Sequence, residues 1–324
     1  MMLSSTTTAT KAAMTATQQP VIVSNKHHKK SVFVNFIAGG VGGTAGVFVT
    51  CPLDVIQTRL QSSIILKPSS LANGVSVKQP LAGRYGSKVF LYMLHIVKTE
   101  GFFALYRGIV PNLIGIAPSR ATYFAVYTKT KSVLNNTQLS NSSWTHMFSA
   151  LSASLSVSTL TNPIWFMKTK LQLDTSVKRR SVIEIAKEVF RNDGIRGFYR
   201  GLSASYYGAS ETMIYFVLYE KIKSILNEKN SLSAVDVITA SFFAKTIAAI
   251  SVYPHEVVRT RLRQESSAFS GNRNYSGFFQ TLFKVFREER WAGLYGGMGA
   301  HLMRQVPNTV IMFATYEAVV NLLS

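Results

Sequence analysis

Charged and amide side chains recur at fixed distances after three prolines, a pattern suited to pairing charges between segments. Pro52, Pro163 and Pro254 each follow an apolar run. Counted from the proline, a mostly acidic position is second, a basic or amide position is fifth and a basic position is seventh. In chain order, these positions hold Asp54, Trp165 and Glu256, then Gln57, Lys168 and Arg259, then Arg59, Lys170 and Arg261. The second and fifth residues share one face of a helix, so each segment can offer an acid and a base to its neighbours.

Single ionisable residues also interrupt apolar stretches, where their cost makes them candidates for function. They are Arg120, Glu211, Lys245 and Arg304. Lys245 precedes Pro254 by nine residues, which is about 13 Å along a helix. Arginine offers a planar fork to phosphate oxygens and lysine adds a point charge, so Arg304 and Lys245 could clamp a polyphosphate. No acid lies within one helical turn of either residue along the chain, whereas Arg120 and Glu211 could instead neutralise one another.

The recurrence of this pattern predicts three copies of one structural unit. Each copy would contain an apolar helix bent at its proline, a short amphipathic surface helix and a second apolar helix. The apolar runs are about as long as a bilayer is thick, so we predict an all-α membrane protein with six transmembrane helices. The predicted surface helices cover about 87–99, 181–192 and 276–288, and the second apolar helices cover 106–127, 199–220 and 297–323. The predicted segments are a disordered basic tail at 1–31 and repeats at 32–132, 143–226 and 232–324.

The composition agrees with a membrane protein that handles an anion. Only 15% of the 324 residues are charged, yet the formal net charge is +20. A basic balance of this size suggests nucleic acid, anionic lipid or an anionic solute, and the repeated apolar runs argue against nucleic acid. Cys51 is the only cysteine, so an internal disulfide and a cysteine metal cluster are excluded, and we interpret it as a packing residue.

Two further features bound the function. Residues 1–31 are rich in Ser, Thr and Ala and contain lysines but no acid, which fits an organelle transit segment and equally a disordered tail. The chain has no Walker loop, HExxH zinc motif or nucleophile elbow, so we predict neither an enzyme nor a bound metal or cofactor. His255, next to Glu256, is interpreted as structural.

The three spaced copies resemble the mitochondrial carrier family over residues 32–323. Within this family, four sequence segments are most similar to those of the pyrimidine nucleotide carriers. That likeness rests on NPIWFMKTKLQLD at 162–174, YPHEVVRTRLRQ at 253–264, APSRATYFA at 117–125 and SETMIYFVLYE at 210–220. The resemblance implies a monomeric three-fold barrel of six transmembrane helices, with short surface helices on the matrix side, in the inner mitochondrial membrane. It also implies anionic solute transport by alternating access, and contact with membrane lipid that includes cardiolipin.

The resemblance further implies two gates. At the matrix gate the acid of one repeat pairs with the base of the next, so Asp54 would pair with Lys168, Glu256 would meet Gln57 and Trp165 would face Arg259. Glutamine braces would lie beneath them at Gln61 and Gln172, with Arg263 in the third brace position. At the cytoplasmic gate Glu317 would pair with Lys131, whereas Glu220 would meet Val320 and Lys223 would meet Thr128. Ordinary helix-end charges at the membrane surface are the alternative interpretation of this second set.

The resemblance places the solute site between the gates. Arg304 takes the position in the sixth helix that contacts solute in nucleotide carriers, and Gly115, Gly208 and Ala209 take the equivalent positions in the second and fourth helices. A small residue there suits a flat base lying against the backbone. A tryptophan in the position that Trp165 holds is also a feature of carriers of NAD, folate and flavin-like solutes. Transport of NAD, folate, FAD or coenzyme A therefore stays open, as does a carrier-fold adaptor that transports nothing.

Overall fold

Eleven α-helices and one short 3-10 helix make up the part of the chain that the computed structural model describes, which is residues 30–62, 85–135, 143–175, 180–227, 234–265 and 275–323. No strand occurs in these ranges. The predicted tail at 1–31 falls almost entirely outside them. The helices are α1 Lys30–Gln61, α2 Tyr85–Glu100, α3 Ile109–Asn135, α4 Ser143–Leu173, α5 Val182–Gly197, α6 Leu202–Gly208, α7 Ser210–Asn227, α8 Ala234–Val252, α9 Pro254–Gln264, α10 Phe278–Leu294 and α11 Met298–Leu323, with the 3-10 helix at Phe102–Tyr106.

The predicted order of an apolar helix with a proline, a surface helix and a second apolar helix occurs three times, with two differences. Pro52 and Pro163 lie inside continuous helices, whereas the third copy divides at Tyr253 into α8 and α9. The helix predicted from Tyr199 to Glu220 is two helices, α6 and α7, separated by Ala209. Ala209 itself keeps right-handed helical dihedral angles, at φ −62° and ψ −22°.

Contacts divide the chain into two compact units. Of the described residues, the larger unit contains those within 47–209 and 253–306, and the smaller contains those within 30–46, 210–252 and 307–323. In the larger unit α3 packs on α4, and α9 packs on α4, α6 and α10. In the smaller unit α7 packs on α8 around the buried side chains of Tyr215, Tyr219, Ala244 and Ala248.

Each surface helix in the larger unit is packed against the helix segment that follows a repeated proline. Ile56 of α1 packs with Val89 and Ile96 of α2, and Phe166 and Met167 of α4 pack with Ile185 and Val189 of α5. Val258 and Leu262 of α9 pack with Ala204 and, in part, with Phe278 and Leu282 of α10. Burial of these apolar faces fixes the polar residues after each proline relative to the surface helices.

Bidentate ion pairs reinforce two of these contacts. Arg59 donates to both carboxylate oxygens of Glu100, at 2.5 and 2.8 Å, and Arg261 donates to both oxygens of Glu289, at 2.5 and 2.6 Å. Both arginines hold the seventh position after their proline. Tyr92 lies beside the first pair, and burial raises the pKa of its phenol. These seventh-position bases therefore hold the ends of the surface helices.

A helix that spans a bilayer needs about 20 predominantly apolar residues. Among the described residues, no individual helix is both long and apolar enough to be a membrane span by itself. The bent pair Val89–Glu100 and Phe102–Asn135 meets the requirement together across an angle of 117°.

Candidate functional site

Asp54 is the centre of the best connected group of predicted gate residues. Its Oδ2 lies 2.5 Å from Lys168 Nζ and accepts a hydrogen bond from Gln172 Nε2 at 3.1 Å. Its Oδ1 lies 3.3 Å from Arg304 Nη1. The positions after Pro52 and Pro163 thus bring an acid of α1 against a base of α4. The contact with Arg304 of α11 was not anticipated, because the sequence assigned that arginine to the solute alone.

The two predicted brace glutamines each join two helices. Gln172 accepts a hydrogen bond from the Thr58 hydroxyl at 2.8 Å as well as donating to Asp54. Gln61 donates to the Tyr253 hydroxyl at 3.0 Å and accepts from Thr260 at 2.7 Å. Each amide uses both its donor and its acceptor. The α1 segment is therefore tied to α4 on one side and to the Tyr253–α9 segment on the other.

The expected contact between Glu256 and Gln57 is wrong. Glu256 is paired with Arg259 on its own helix, and His255 Nε2 lies 3.3 Å from its other oxygen. Gln57 Nε2 instead lies 3.1 Å from His301 Nδ1. A guanidinium one turn away binds a carboxylate more strongly than a neutral amide, so the local partner prevails.

The expected approach of Trp165 to Arg259 is also wrong. The Trp165 indole donates to the Thr161 hydroxyl at 2.9 Å, one turn back along α4, and the Lys168 ammonium lies 5.3 Å from its ring centroid. Arg259 is occupied by Glu256. An indole offers one donor and no acceptor for a guanidinium, so the two side chains have little reason to meet.

Arg263 supplies the cross-helix contact at this interface. It is 6% exposed and donates to Asn162 Oδ1 at 2.9 Å, with longer contacts to Thr169 Oγ1 at 3.4 Å and to the Trp165 carbonyl at 3.5 Å. Its brace position was recognised from the sequence, but its partners were not. The helix interfaces therefore differ in chemistry. An ion pair and an amide join α1 to α4, and an arginine of α9 binds neutral acceptors of α4. Amides of α1 contact a tyrosine, a threonine and a histidine at Tyr253, α9 and α11.

Three glycines with positive φ pack against the backbone of the residues that lie fifth after each repeated proline. Gly108, Gly201 and Gly297 have φ of 84°, 79° and 79°. A Cβ on each would lie 3.0, 3.1 and 2.9 Å from the backbone carbonyl oxygens of Lys168, Arg259 and Gln57 respectively. Only glycine combines this left-handed backbone with so close an approach. The three-fold recurrence of the matrix-gate positions is therefore present in the backbone even where the side chains differ.

Lys245 and Glu211 form an ion pair in the smaller unit, with 2.6 Å between Nζ and Oε1. The Lys245 ammonium also lies 6.0 Å from the centroid of the Tyr215 ring. Glu211 and Arg120 belong to different units, so the alternative in which they neutralise one another stays a prediction beside this contact with Lys245. The acid reaches Lys245 from α7, so the search for acids along α8 alone missed it. Arg120 is half-buried in α3.

The small residues predicted to lie against a base are in close contact with neighbouring helices. A Cβ on Gly115 would lie 3.1 Å from Ile164 Cγ2 and 3.3 Å from Trp165 Cζ2. A Cβ on Gly208 would lie 2.6 Å from His255 Cδ2. Ala209 is 3% exposed. Close helix packing is therefore a sufficient reason for small residues here, and their contact with solute stays a prediction.

Replacing Gly208 by alanine is expected to lower the free energy of unfolding by about 1–3 kcal/mol, because the new methyl group overlaps the His255 ring. The measurement is thermal unfolding of the purified protein without solute. In a double-mutant cycle, Gly208→Ala should cost much less in a His255→Ala background, where the ring is absent. An equal cost in both backgrounds would contradict the packing role.

The cytoplasmic-gate residues are only partly described. Lys131, Glu220 and Lys223 are half-buried. Tyr127, in the predicted aromatic position, lies with its hydroxyl 2.7 Å from His146 Nδ1. The side chain of Glu317 lies outside the described residues, so its pairing with Lys131 stays a prediction.

The comparisons with known proteins agree with the repeated geometry. The model of the family described as "Mitochondrial carrier protein" matches residues 28–138, 140–230 and 230–324. This chain belongs to the mitochondrial carrier family. Among individual carriers, chicken "Solute carrier family 25 member 36" is 46% identical over 317 residues, covering 91% of this chain and 99% of the relative. Human "Solute carrier family 25 member 33" is 42% identical over 317 residues, covering 91% and 96%. The "Mitochondrial pyrimidine nucleotide transporter RIM2" of Saccharomyces cerevisiae is 37% identical over 334 residues, covering 92% of this chain and 88% of the yeast relative.

Proposed function

We propose that this carrier moves pyrimidine nucleotides across the inner mitochondrial membrane by alternating access, as an exchange of one nucleotide for another. The observation that carries the proposal is the match, over 92% of the chain, to a yeast relative whose name is that of a mitochondrial pyrimidine nucleotide transporter. The basic residues within the apolar helices support an anionic solute. Residues 32–132, 143–226 and 232–324 are the three repeats, and their six spanning helices form a monomeric barrel in contact with cardiolipin-containing lipid.

In this proposal the solute site uses cations for phosphate and small residues for the base. Arg304 and Lys245 bind the phosphates, with Arg120 as a further positive charge and Glu211 as the partner that holds Lys245 in the absence of solute. Gly115, Gly208 and Ala209 leave room for the flat ring. A guanidinium suits the phosphates because its fork matches two oxygens at once.

The two gates alternate on either side of this site. The matrix gate consists of the tie from Asp54 to Lys168, the Gln172 and Gln61 contacts, and Arg263 in the place of a third glutamine. A buried pair gains little net free energy because desolvation offsets the Coulomb attraction, which suits a contact that must break in each cycle. The cytoplasmic gate uses Lys131, Glu220, Lys223 and Glu317.

Reconstitution into liposomes tests the function directly. Purified carrier in vesicles loaded with UTP should take up labelled UTP faster than labelled ATP, NAD, folate, FAD or coenzyme A, and empty vesicles should take up little if transport is exchange. Preferential uptake of NAD, folate, FAD or coenzyme A would replace the proposed solute and keep the transporter. Uptake of none of these would contradict transport and favour the adaptor.

A further inference from the structure

His301 of α11 lies between two glutamines, one of them from another helix. Its Nδ1 lies 3.1 Å from Gln57 Nε2 of α1, and its Nε2 lies 3.2 Å from Gln305 Nε2, one turn further along α11. Gln57 is 5% exposed, and its Oε1 is buried without a hydrogen-bond partner among the described residues. Leaving a buried amide group unpaired is costly, so a ligand that pairs with it gives a reason for its presence.

The hydrogen-bonding capacity of His301 determines which group Gln57 presents at this free end. A neutral imidazole has one N–H and one acceptor nitrogen, whereas an amide NH2 group donates and does not accept. With an amide nitrogen on each side of the ring, one glutamine must turn its amide by half a turn to satisfy both contacts. If Gln305 turns, the ring proton lies on Nε2 and Gln57 presents its oxygen. If Gln57 turns, the ring proton lies on Nδ1 and Gln57 presents its NH2 group.

These three residues lie beside the arginine that the proposed function gives to the solute phosphates. Gln305 directly follows Arg304 along the chain. Gln57 lies three residues after Asp54, on the same helix face, and Asp54 Oδ1 lies 3.3 Å from Arg304 Nη1. The Arg304 side chain is 28% exposed. One ribose separates the base of a nucleotide from its phosphates, so a nucleotide bound by Arg304 brings its base to the neighbourhood of Gln57.

We propose that Gln57 hydrogen-bonds N3 of the pyrimidine ring, and that the tautomer of His301 decides whether Gln57 accepts or donates there. Uracil and thymine carry a proton on N3, and cytosine does not. The oxygen of Gln57 therefore suits uracil and thymine, and its NH2 group suits cytosine. Moving one proton between the two ring nitrogens of His301, with both amides turning, adapts one site to all three bases. The inference rests on the proposed function, because it requires a bound pyrimidine nucleotide.

The first experiment compares nucleotides that differ at N3. Thermal stabilisation of the full-length carrier in detergent gives the dissociation constants of UTP, 3-methyl-UTP, CTP and 3-deaza-CTP. Each analogue keeps its phosphates and loses the hydrogen bond at N3, which leaves a buried amide group unpaired. Wild type should therefore bind each analogue at least about fivefold more weakly than its parent. Gln57→Leu should bind parent and analogue equally, and the control Gln280→Leu, at an exposed glutamine of α10, should keep the wild-type difference.

Two substitutions of Gln305 test the role of His301 while Gln57 stays in place. A carboxylate only accepts, so Gln305→Glu holds the ring proton on Nε2 and leaves the oxygen of Gln57 for the base. An ammonium only donates, so Gln305→Lys holds the ring proton on Nδ1 and leaves the NH2 group. At about pH 8.5, well above the usual histidine pKa, Gln305→Glu should raise the ratio of UTP affinity to CTP affinity at least about fivefold. Gln305→Lys should lower this ratio by a similar factor.

The ratio separates positioning of the base from other effects of these substitutions. The added charge acts on the phosphates, which UTP and CTP share, so its effect cancels in the ratio. A purely structural role of Gln305 would leave the ratio unchanged in both variants, and that result would overturn the inference.

The remaining outcomes distinguish the inference from the proposed function. Equal binding of parent and analogue by wild type would overturn the inference, while binding of UTP and CTP would still support the function. Failure of wild type to bind any pyrimidine nucleotide would overturn both. If Gln57→Leu does not fold, the analogues on wild type and the two Gln305 variants still decide the question.

Discussion

Arg304→Ala is expected to abolish UTP exchange by the reconstituted carrier while the protein still folds. The substitution removes the guanidinium that we propose as the main phosphate ligand, and no other donor with a planar fork replaces it in the Asp54 group. Folding should persist because Asp54 keeps its contacts with Lys168 and Gln172. The measurement is the initial rate of labelled UTP uptake into UTP-loaded liposomes, with thermal unfolding of the same preparation as the test of folding.

Arg287→Ala is the matched control. It removes the same side chain and the same charge from an exposed position on the surface helix α10, so it should keep wild-type uptake. If Arg304→Ala transported UTP at the wild-type rate, the assignment of Arg304 to the solute would be wrong. If both variants lost uptake equally, the loss would reflect the net charge of the carrier and not a specific phosphate contact.

The element order could be predicted from the sequence because its determinants are local. A proline that removes a backbone hydrogen bond, a glycine that permits positive φ and an apolar period are each readable from a few neighbouring residues. Gly108 and Gly201 follow the same Tyr-Arg pair in two repeats, and both have positive φ in the structure. The division of the fourth predicted helix at Ala209 had no such signal, because alanine favours helix and its dihedral angles stay helical.

Side-chain partners could be predicted only where no local competitor was present. Asp54 has Gln57 on its own helix face, and a neutral amide leaves the carboxylate available to Lys168. Glu256 has Arg259 in the same relative position, and this cation pairs with it before any residue of another repeat can. Comparing the second and fifth positions within one repeat therefore shows which acids are available to a neighbouring repeat. Applied to the sequence, this comparison would have prevented the wrong pairing of Glu256 with Gln57.

The partners of the two cations that we assign to solute binding could not be predicted from the sequence. Neither Arg304 nor Lys245 has an acid within one turn of its own helix, yet each contacts a carboxylate supplied by another helix. The rotation of one helix about its axis relative to another depends on packing that no linear spacing encodes. Ion pairs of this kind also give a physical reason why cations can be kept within apolar helices while solute is absent: each has a carboxylate of the same chain to neutralise it.

Lys245→Gln is expected to weaken UTP binding at least about thirtyfold, because truncating one partner of a buried, hydrogen-bonded charge contact costs about 2–5 kcal/mol. It should also lower thermal stability, since Glu211 loses its ion-pair partner. The measurements are UTP affinity in detergent and uptake in liposomes.

The double variant Lys245→Gln with Glu211→Gln separates a solute ligand from a structural cation. Removing the second charge relieves the unpaired carboxylate, so thermal stability should return toward that of wild type. If Lys245 binds phosphate, UTP affinity and uptake stay low in the double variant, because neither glutamine restores the positive charge. Recovery of transport together with stability would mean that Lys245 serves only to neutralise Glu211, and the phosphate site would then depend on cations other than Lys245.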